Sequence, residues 1–372
     1  MKRFWTGRTA GVAVLAVGAA VGLAACGSSS GTSATPSSST SSGASGVTCA
    51  KGTLDAAGST AQANAITALA DAYEKACGSG VTINYNADGS GDGVTAFEQG
   101  TVAFAGSDYG LGTADVPAAN KRCGPGNVAV NIPLVPGPIA IGYNLTGVTS
   151  LKLSAQVLAK IFSGKITKWN DRAITAINPG VSLPSEKIQP IHRSDSSGTT
   201  YNFTNYLNHL DPADWSYAAN KDFPPAAGGV GAKGSSSVAA GVKQTQGAIG
   251  YFEDSYAVSD GIPVASIGNA AGDYIVPSIT GAASFIAKGA AASDGKISFD
   301  YKDTSSSDYP NVLVTYEIVC GKGNSASTLP LLKDFLTYMA GAGQKVLPAN
   351  GYASLPATVA SKDLTTIAGL AS

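Results

Sequence analysis

"GTLDAAGSTAQANAITALADAYEKACGSGVTINYNADGSGDG", residues 52–93, changes its hydrophobic period twice, and those changes set the fold class. The opening run is strand-like and ends in small residues. Apolar positions at Ile66, Leu69, Ala70 and Tyr73 then recur at helical spacing, and Val81, Ile83 and Tyr85 alternate as a strand does. A Gly-rich turn leads into the helix-like "VTAFEQG" (94–100) and a third strand, "VAFAGSD" (102–108), which ends in Asp108. Strand, Gly/Ser loop, helix, strand is the pattern of a parallel α/β sheet, in which ligands bind at the carboxyl ends of the strands.

Farther on, Pro125, Pro133, Pro136 and Pro138 crowd the apolar strand "NIPLVPGPIAIGYN" (131–144), a pattern that suits a crossing between lobes. "LKLSAQVLAKIFSGKITKWND" (151–171) reads as an amphipathic helix and a turn, with Leu158, Ile161 and Phe162 on the buried stripe. "KIQPIHRSDSSGTTYNFTNYLNHL" (187–210) repeats strand, loop and helix, and a further strand is expected over 248–252. "SDYPNVLVTYEIVC" (307–320) marks a second crossing, followed by a terminal helix in "STLPLLKDFLTYMAGAGQKVL" (327–347). The expected organisation is two α/β lobes: residues 47–136 with 312–372, and residues 137–311.

The first residues belong to a different kind of segment. Lys2, Arg3 and Arg8 precede a Gly/Ala-rich apolar stretch of about 17 residues, at the lower limit for spanning a bilayer. It runs into "LAAC", ending at Cys26, which resembles a bacterial lipobox. Residues 1–25 are therefore expected to be a lipoprotein signal peptide, with Cys26 lipid-modified and the rest of the chain outside the cytoplasm. Residues 27–46 have no hydrophobic side chain larger than alanine and read as a flexible tether. A coil of this composition reaches roughly 25 Å.

Charge narrows the function. The whole chain has 24 basic and 25 acidic residues; without Lys2, Arg3 and Arg8 the basic total is 21, a net of −4. No basic excess points to nucleic acid. Cys49, Cys77, Cys123 and Cys320 suggest two disulfides with three pairings open, Cys49–Cys77 being preferred because these two flank the first strand and helix. There is no C-x-x-C, and His192 and His209 are the only histidines, which argues against a zinc site. No cofactor is expected.

Three loops carry the chemistry: "AGSTA" (57–61), "DGSGDG" (88–93) and "RSDSSGTT" (193–200). Each follows a strand, opens a helix and supplies glycine beside hydroxyl residues. A helix start leaves several N–H groups unpaired and carries about half a positive charge, so such loops can hold an anion without any lysine. One loop alone reads equally as a helix cap; three at the strand ends of facing lobes point to a common ligand. Arg193 adds a planar fork for two oxygens, and Asp195 is placed to orient it. Asp108 accepts hydrogen bonds and donates none, so it would admit an oxyanion that keeps a proton and reject one that has none.

These segments, with "AGST" (57–60), "GSGDG" (89–93), "AGSD" (105–108), "IFSGKITKWND" (161–171) and "GAIGYFE" (247–253), make the chain resemble the phosphate-binding lipoprotein of the bacterial ABC phosphate importer, the PstS family. The resemblance covers nearly everything beyond the tether. It implies a two-lobed periplasmic binding protein type II fold, each lobe a mixed sheet flanked by helices, with the ligand in the interlobe cleft. It also implies high-affinity binding of inorganic phosphate, delivery to transmembrane permease subunits and no catalysis. By position, the implied ligand set is Thr60, the Ala61 backbone, Ser90, Asp108, Arg193, Asp195, Ser197, Gly198 and Thr199. Ala61 stands where the family often has Phe. Asp92 stands where a small residue is usual and is expected to face solvent. Sulfate, molybdate and phosphonate remain alternative ligands. A secreted phosphatase is the alternative from another class, although Ser197 has no evident general base. An added role as a surface adhesin stays open.

Overall fold

The computed structural model describes residues 47–372; the expected signal peptide, Cys26 and the expected tether lie outside the described residues. One eight-stranded sheet runs through the molecule. Its order is Val81–Asn86, Gly52–Gly58, Phe104–Ser107, Val312–Cys320, Ala129–Tyr143, Ala248–Glu253, Gln189–Arg193 and Val230–Ala232. The three strands at one end are mutually parallel, as are the three at the other end. The two long strands between them are antiparallel to each other and to their outer neighbours.

Ala129–Tyr143 changes partner along its length. Up to Pro138 it pairs with Val312–Cys320, and from Ile139 onward with Ala248–Glu253. Pro133, Pro136 and Pro138 lie inside this strand rather than at its borders. Proline gives no N–H to a ladder, so it fits where that side of the strand has no neighbouring strand. The Pro136 carbonyl faces such a side and accepts from Ala353 N–H at 2.9 Å.

Separate hydrophobic cores lie under the two ends of the sheet. One gathers Leu54, Ile66, Tyr73, Phe104, Leu134, Phe335 and Met339. The helix Ala63–Cys77 contributes Ala65, Ile66, Leu69, Ala70 and Tyr73, the stripe its spacing dictates. The other core holds Ile141, Leu158, Phe162, Trp169, Phe203, Trp215 and Tyr251. Cys49 is bonded to Cys77 across 28 positions and Cys123 to Cys320 across 197.

Several boundaries differ from expectation. The second helix begins at Ser90, not Val94. Residues 151–162 form a two-residue strand, Lys152–Leu153, and a helix, Ala155–Phe162, capped by the Ser154 hydroxyl. The terminal helix stops at Ala340, before Gly341, and another helix, Ala357–Ala368, follows it.

Candidate functional site

The expected loops meet where the strand ends of the two halves face each other. On one wall the strand Gly52–Gly58 delivers Ser59 and Thr60 to the start of the helix Ala63–Cys77. Phe104–Ser107 delivers Asp108, and Ser90 opens the helix Ser90–Glu98. Asp108 is only 2% exposed and is surrounded by hydroxyls. Its Oδ1 accepts from Ser59 Oγ at 2.5 Å and from Thr315 Oγ1 at 2.8 Å. Its Oδ2 has only longer contacts, Thr199 Oγ1 at 3.3 Å and Ser90 Oγ at 3.4 Å. Burial pushes the Asp108 carboxyl above the usual carboxylate range; hydrogen bonds from Ser59 and Thr315, and the charge of Arg193, offset only part of that rise.

The facing wall supplies the positive charge. Arg193 ends the strand Gln189–Arg193 and is also 2% exposed. Its Nε donates to Asp195 Oδ1 at 2.7 Å and its Nη2 to Asp195 Oδ2, a two-point pairing that fixes the guanidinium plane. Asp195 accepts in addition from Gly234 N–H at 3.1 Å. Burial raises the Asp195 carboxyl, but the arginine outweighs it and holds the group below its ordinary value. Nη1 remains, with long contacts of 3.4 Å to both Thr199 Oγ1 and Ser235 Oγ.

The walls touch. Ser235 N–H donates to Thr60 Oγ1 at 3.0 Å, and Gly91 N–H to the Ser196 carbonyl at 3.0 Å. Gly198 opens the helix Gly198–Leu210 directly against Asp108: a Cβ there would lie 2.6 Å from Asp108 Cβ and 2.8 Å from its backbone nitrogen. Only glycine lets the helix start approach so closely. Asp92 is exposed and pairs with Lys233 of the other wall at 3.1 Å.

Thr60, Ser90, Asp108, Arg193, Asp195, Gly198 and Thr199 thus share one location. Two of the expected groups are otherwise engaged: Ala61 N–H donates to Ser59 Oγ at 3.0 Å, and Ser197 Oγ accepts from Thr200 N–H at 3.2 Å as a helix cap. Ser59, Ser235 and Thr315 belong to the cluster and were not among the expected residues. Ser59 stands inside "AGST", and Ser235 in "GAKGSSS" (231–237), a fourth Gly/Ser loop between strand and helix. Thr315 carries no local signal, being one residue of a long strand.

The arrangement suits an anion that still holds a proton. The two donors of Asp108 Oδ1 anchor the carboxylate, which leaves Oδ2 to accept from a ligand hydroxyl. Arg193 Nη1 and the loosely held hydroxyls of Thr199, Ser90 and Ser235 can donate to the ligand's bare oxygens. His192, next to the arginine, is engaged elsewhere: its Nδ1 lies 2.9 Å from the Arg193 carbonyl, and its ring stacks on Phe223 at 4.1 Å.

Known proteins share the sequence pattern and the fold of this chain. Residues 43–342 match the model of the PBP superfamily domain. The chain is 43% identical over 327 residues to phosphate-binding protein PstS 3 of Mycobacterium leprae, covering 85% of this chain and 86% of that one. It is 40% identical over 370 residues to phosphate-binding protein PstS 3 of Mycobacterium tuberculosis, covering 97% and 98%. In fold it resembles a high-affinity periplasmic phosphate-binding protein solved with phosphate bound, with TM-score 0.69, 23% identity and coverage of 84% and 92%. The chain belongs to the PstS family of phosphate-binding proteins, within the PBP superfamily.

Proposed function

We propose that this chain binds inorganic phosphate outside the cytoplasm and presents it to the permease subunits of an ABC importer. The observation that carries the reading is a buried acceptor-only carboxylate, Asp108, set opposite a buried guanidinium, Arg193. Phosphate at neutral pH keeps at least one proton for Asp108 Oδ2 and has bare oxygens for the donors facing it. Sulfate has no proton to give and would leave a buried charge unpaired. The named activity of relatives 43% and 40% identical supports the same ligand.

Thr60, Ser90, Asp108, Arg193, Asp195, Gly198 and Thr199 form the proposed site, with Ser59, Ser235 and Thr315 supporting them. Ala61, through its backbone, and Ser197 remain in the proposed set as residues of the two loops that open toward the ligand. Residues 47–136 with 312–372 and residues 137–311 act as the two lobes that close on the ligand. Cys26 serves as the lipid anchor and residues 27–46 as the tether to the membrane. With a net charge of −4 beyond the signal peptide, long-range attraction cannot gather the anion, so binding should vary only modestly with salt. Titration calorimetry of the purified protein with phosphate tests the reading: one phosphate per chain without ester hydrolysis supports it. Equal binding of sulfate, or steady turnover of a phosphate ester, rejects it.

A further inference from the structure

Near Asp108 lies a set of buried polar groups that phosphate binding leaves unused. Glu317, on the strand Val312–Cys320, is fully buried and pairs with Gly106. Facing residues of an antiparallel pair direct their side chains to the same side of the sheet. A Cβ on Gly106 would lie 2.0 Å from Gln62 Nε2 and 2.5 Å from the Tyr85 hydroxyl. Glycine at 106 therefore opens the space in which Glu317, Gln62 and Tyr85 meet.

A count of protons decides what Glu317 does there. Tyr85 has one hydroxyl proton and donates it to the Ser59 carbonyl at 3.0 Å. It must then accept at its other contact, where Gln62 Nε2 donates to it at 3.0 Å. This fixes the Gln62 amide with Oε1 turned away from Tyr85. Gln62 Oε1 has no donor, and neither does either oxygen of Glu317. Three adjoining buried acceptors without a protein donor are costly, whereas one proton on Glu317 turns an acceptor into the missing donor.

We propose that Glu317 is protonated at neutral pH, donates to Gln62 Oε1, and is a positioning residue for phosphate. Through Gln62 and Tyr85 it holds the Ser59 loop whose hydroxyl anchors Asp108, and it leaves Asp108 as the charged carboxylate of that wall. This inference rests on the phosphate reading above. The groups acting on Glu317 are Gln62 from the first helix start, Tyr85 from the strand Val81–Asn86 and Asp108 from the end of Phe104–Ser107. None of them is a cation. Burial first, and then the charge of Asp108, push the Glu317 carboxyl up to about 8 even with Gln62 turned to donate to it; with Oε1 facing it instead, Gln62 favours the protonated form further. Ionisation above that point would break the bond to Gln62 and set a second negative charge beside an anion site.

The test compares wild type with E317Q and E317L. Glutamine keeps the shape and offers Gln62 a donor at every pH; leucine offers none. Between about pH 6 and about pH 9.5, calorimetric affinity for inorganic phosphate should fall about tenfold more in wild type than in E317Q. E317L should bind more weakly than E317Q at low pH. A carboxyl raised by folding contributes stability at low pH that is lost as pH rises toward the folded-state value. Wild type should therefore lose melting temperature relative to E317Q from about pH 4.5 to about pH 8, and no further beyond. Parallel affinity profiles, or parallel melting profiles, for wild type and E317Q would overturn the proposal. If no variant binds phosphate at any pH, the phosphate reading fails, and the melting profiles still decide whether Glu317 holds a proton.

Discussion

On the wall formed by Gly52–Gly58, Phe104–Ser107 and the helix start at Ser90, the buried charge is negative: Asp108, held by Ser59 and Thr315. On the wall formed by Gln189–Arg193 and the helix start at Gly198, it is positive: Arg193, held in plane by Asp195. Both walls use the same strand–loop–helix pattern, and the two charges are equally buried. The difference separates two tasks. In the proposed site the arginine wall is to supply attraction for any oxyanion, while the aspartate wall is to select among oxyanions by asking for a proton. The halves are also braced differently. Both disulfides lie on the Asp108 side, whereas the Arg193 side relies on packed aromatics such as Phe203 against Tyr251 at 4.3 Å.

The largest effect should come from breaking the attractive wall. Arg193→Ala removes the cation and strands Asp195, so phosphate affinity should fall at least about 100-fold in calorimetry and stability by about 3–5 kcal/mol. Arg193→Lys should recover little, because a point charge cannot reproduce the two-point contact with Asp195. A loss of only a few fold would mean that attraction lies elsewhere.

The bracing comes next. The bond between Cys123 and Cys320 closes a span of 197 positions. Replacing both cysteines with serine should cost about 2–5 kcal/mol in denaturant unfolding. Hydrogen exchange should then rise on the Asp108 side more than around Phe203 and Tyr251. A uniform rise would erase the contrast between the halves.

Selection is the subtler function. Asp108→Asn keeps the shape and adds a donor, so the preference for phosphate over sulfate should shrink about tenfold or more in competition binding. An unchanged preference would remove Asp108 as the selector. The smallest effect belongs to the exposed pair between the walls. Asp92→Asn should change affinity by less than about threefold, with the difference fading at high salt.

Much of this was legible in the chain, and the failures have physical causes. The helix Ala63–Cys77 and the Val81–Asn86 strand follow from period alone, because each buries one face. The helix start at Ser90 was hidden because "SGDG" has poor helix propensity. Tertiary contact overrides it: a Cβ at Gly93 would lie 2.4 Å from Gly58 Cα, so glycine is needed where the helix packs on the first strand. The meeting of the site loops was legible because three of them repeat one strand–Gly/Ser–helix pattern, whereas any one alone reads as a helix cap. Thr315 was not, since its role depends on which strand lies beside Asp108, a matter of topology. Ser235 could have been found by applying the loop pattern a fourth time. Glu317 looks like any charged residue in a sequence, and only its burial against Gln62 and Gly106 exposes its role.

The most direct test of the division between attraction and selection is displacement of labelled phosphate from the wild-type protein by sulfate at neutral pH. One phosphate should be held per chain, with no displacement even by a large excess of sulfate. Displacement by sulfate at concentrations comparable to those of unlabelled phosphate would contradict it.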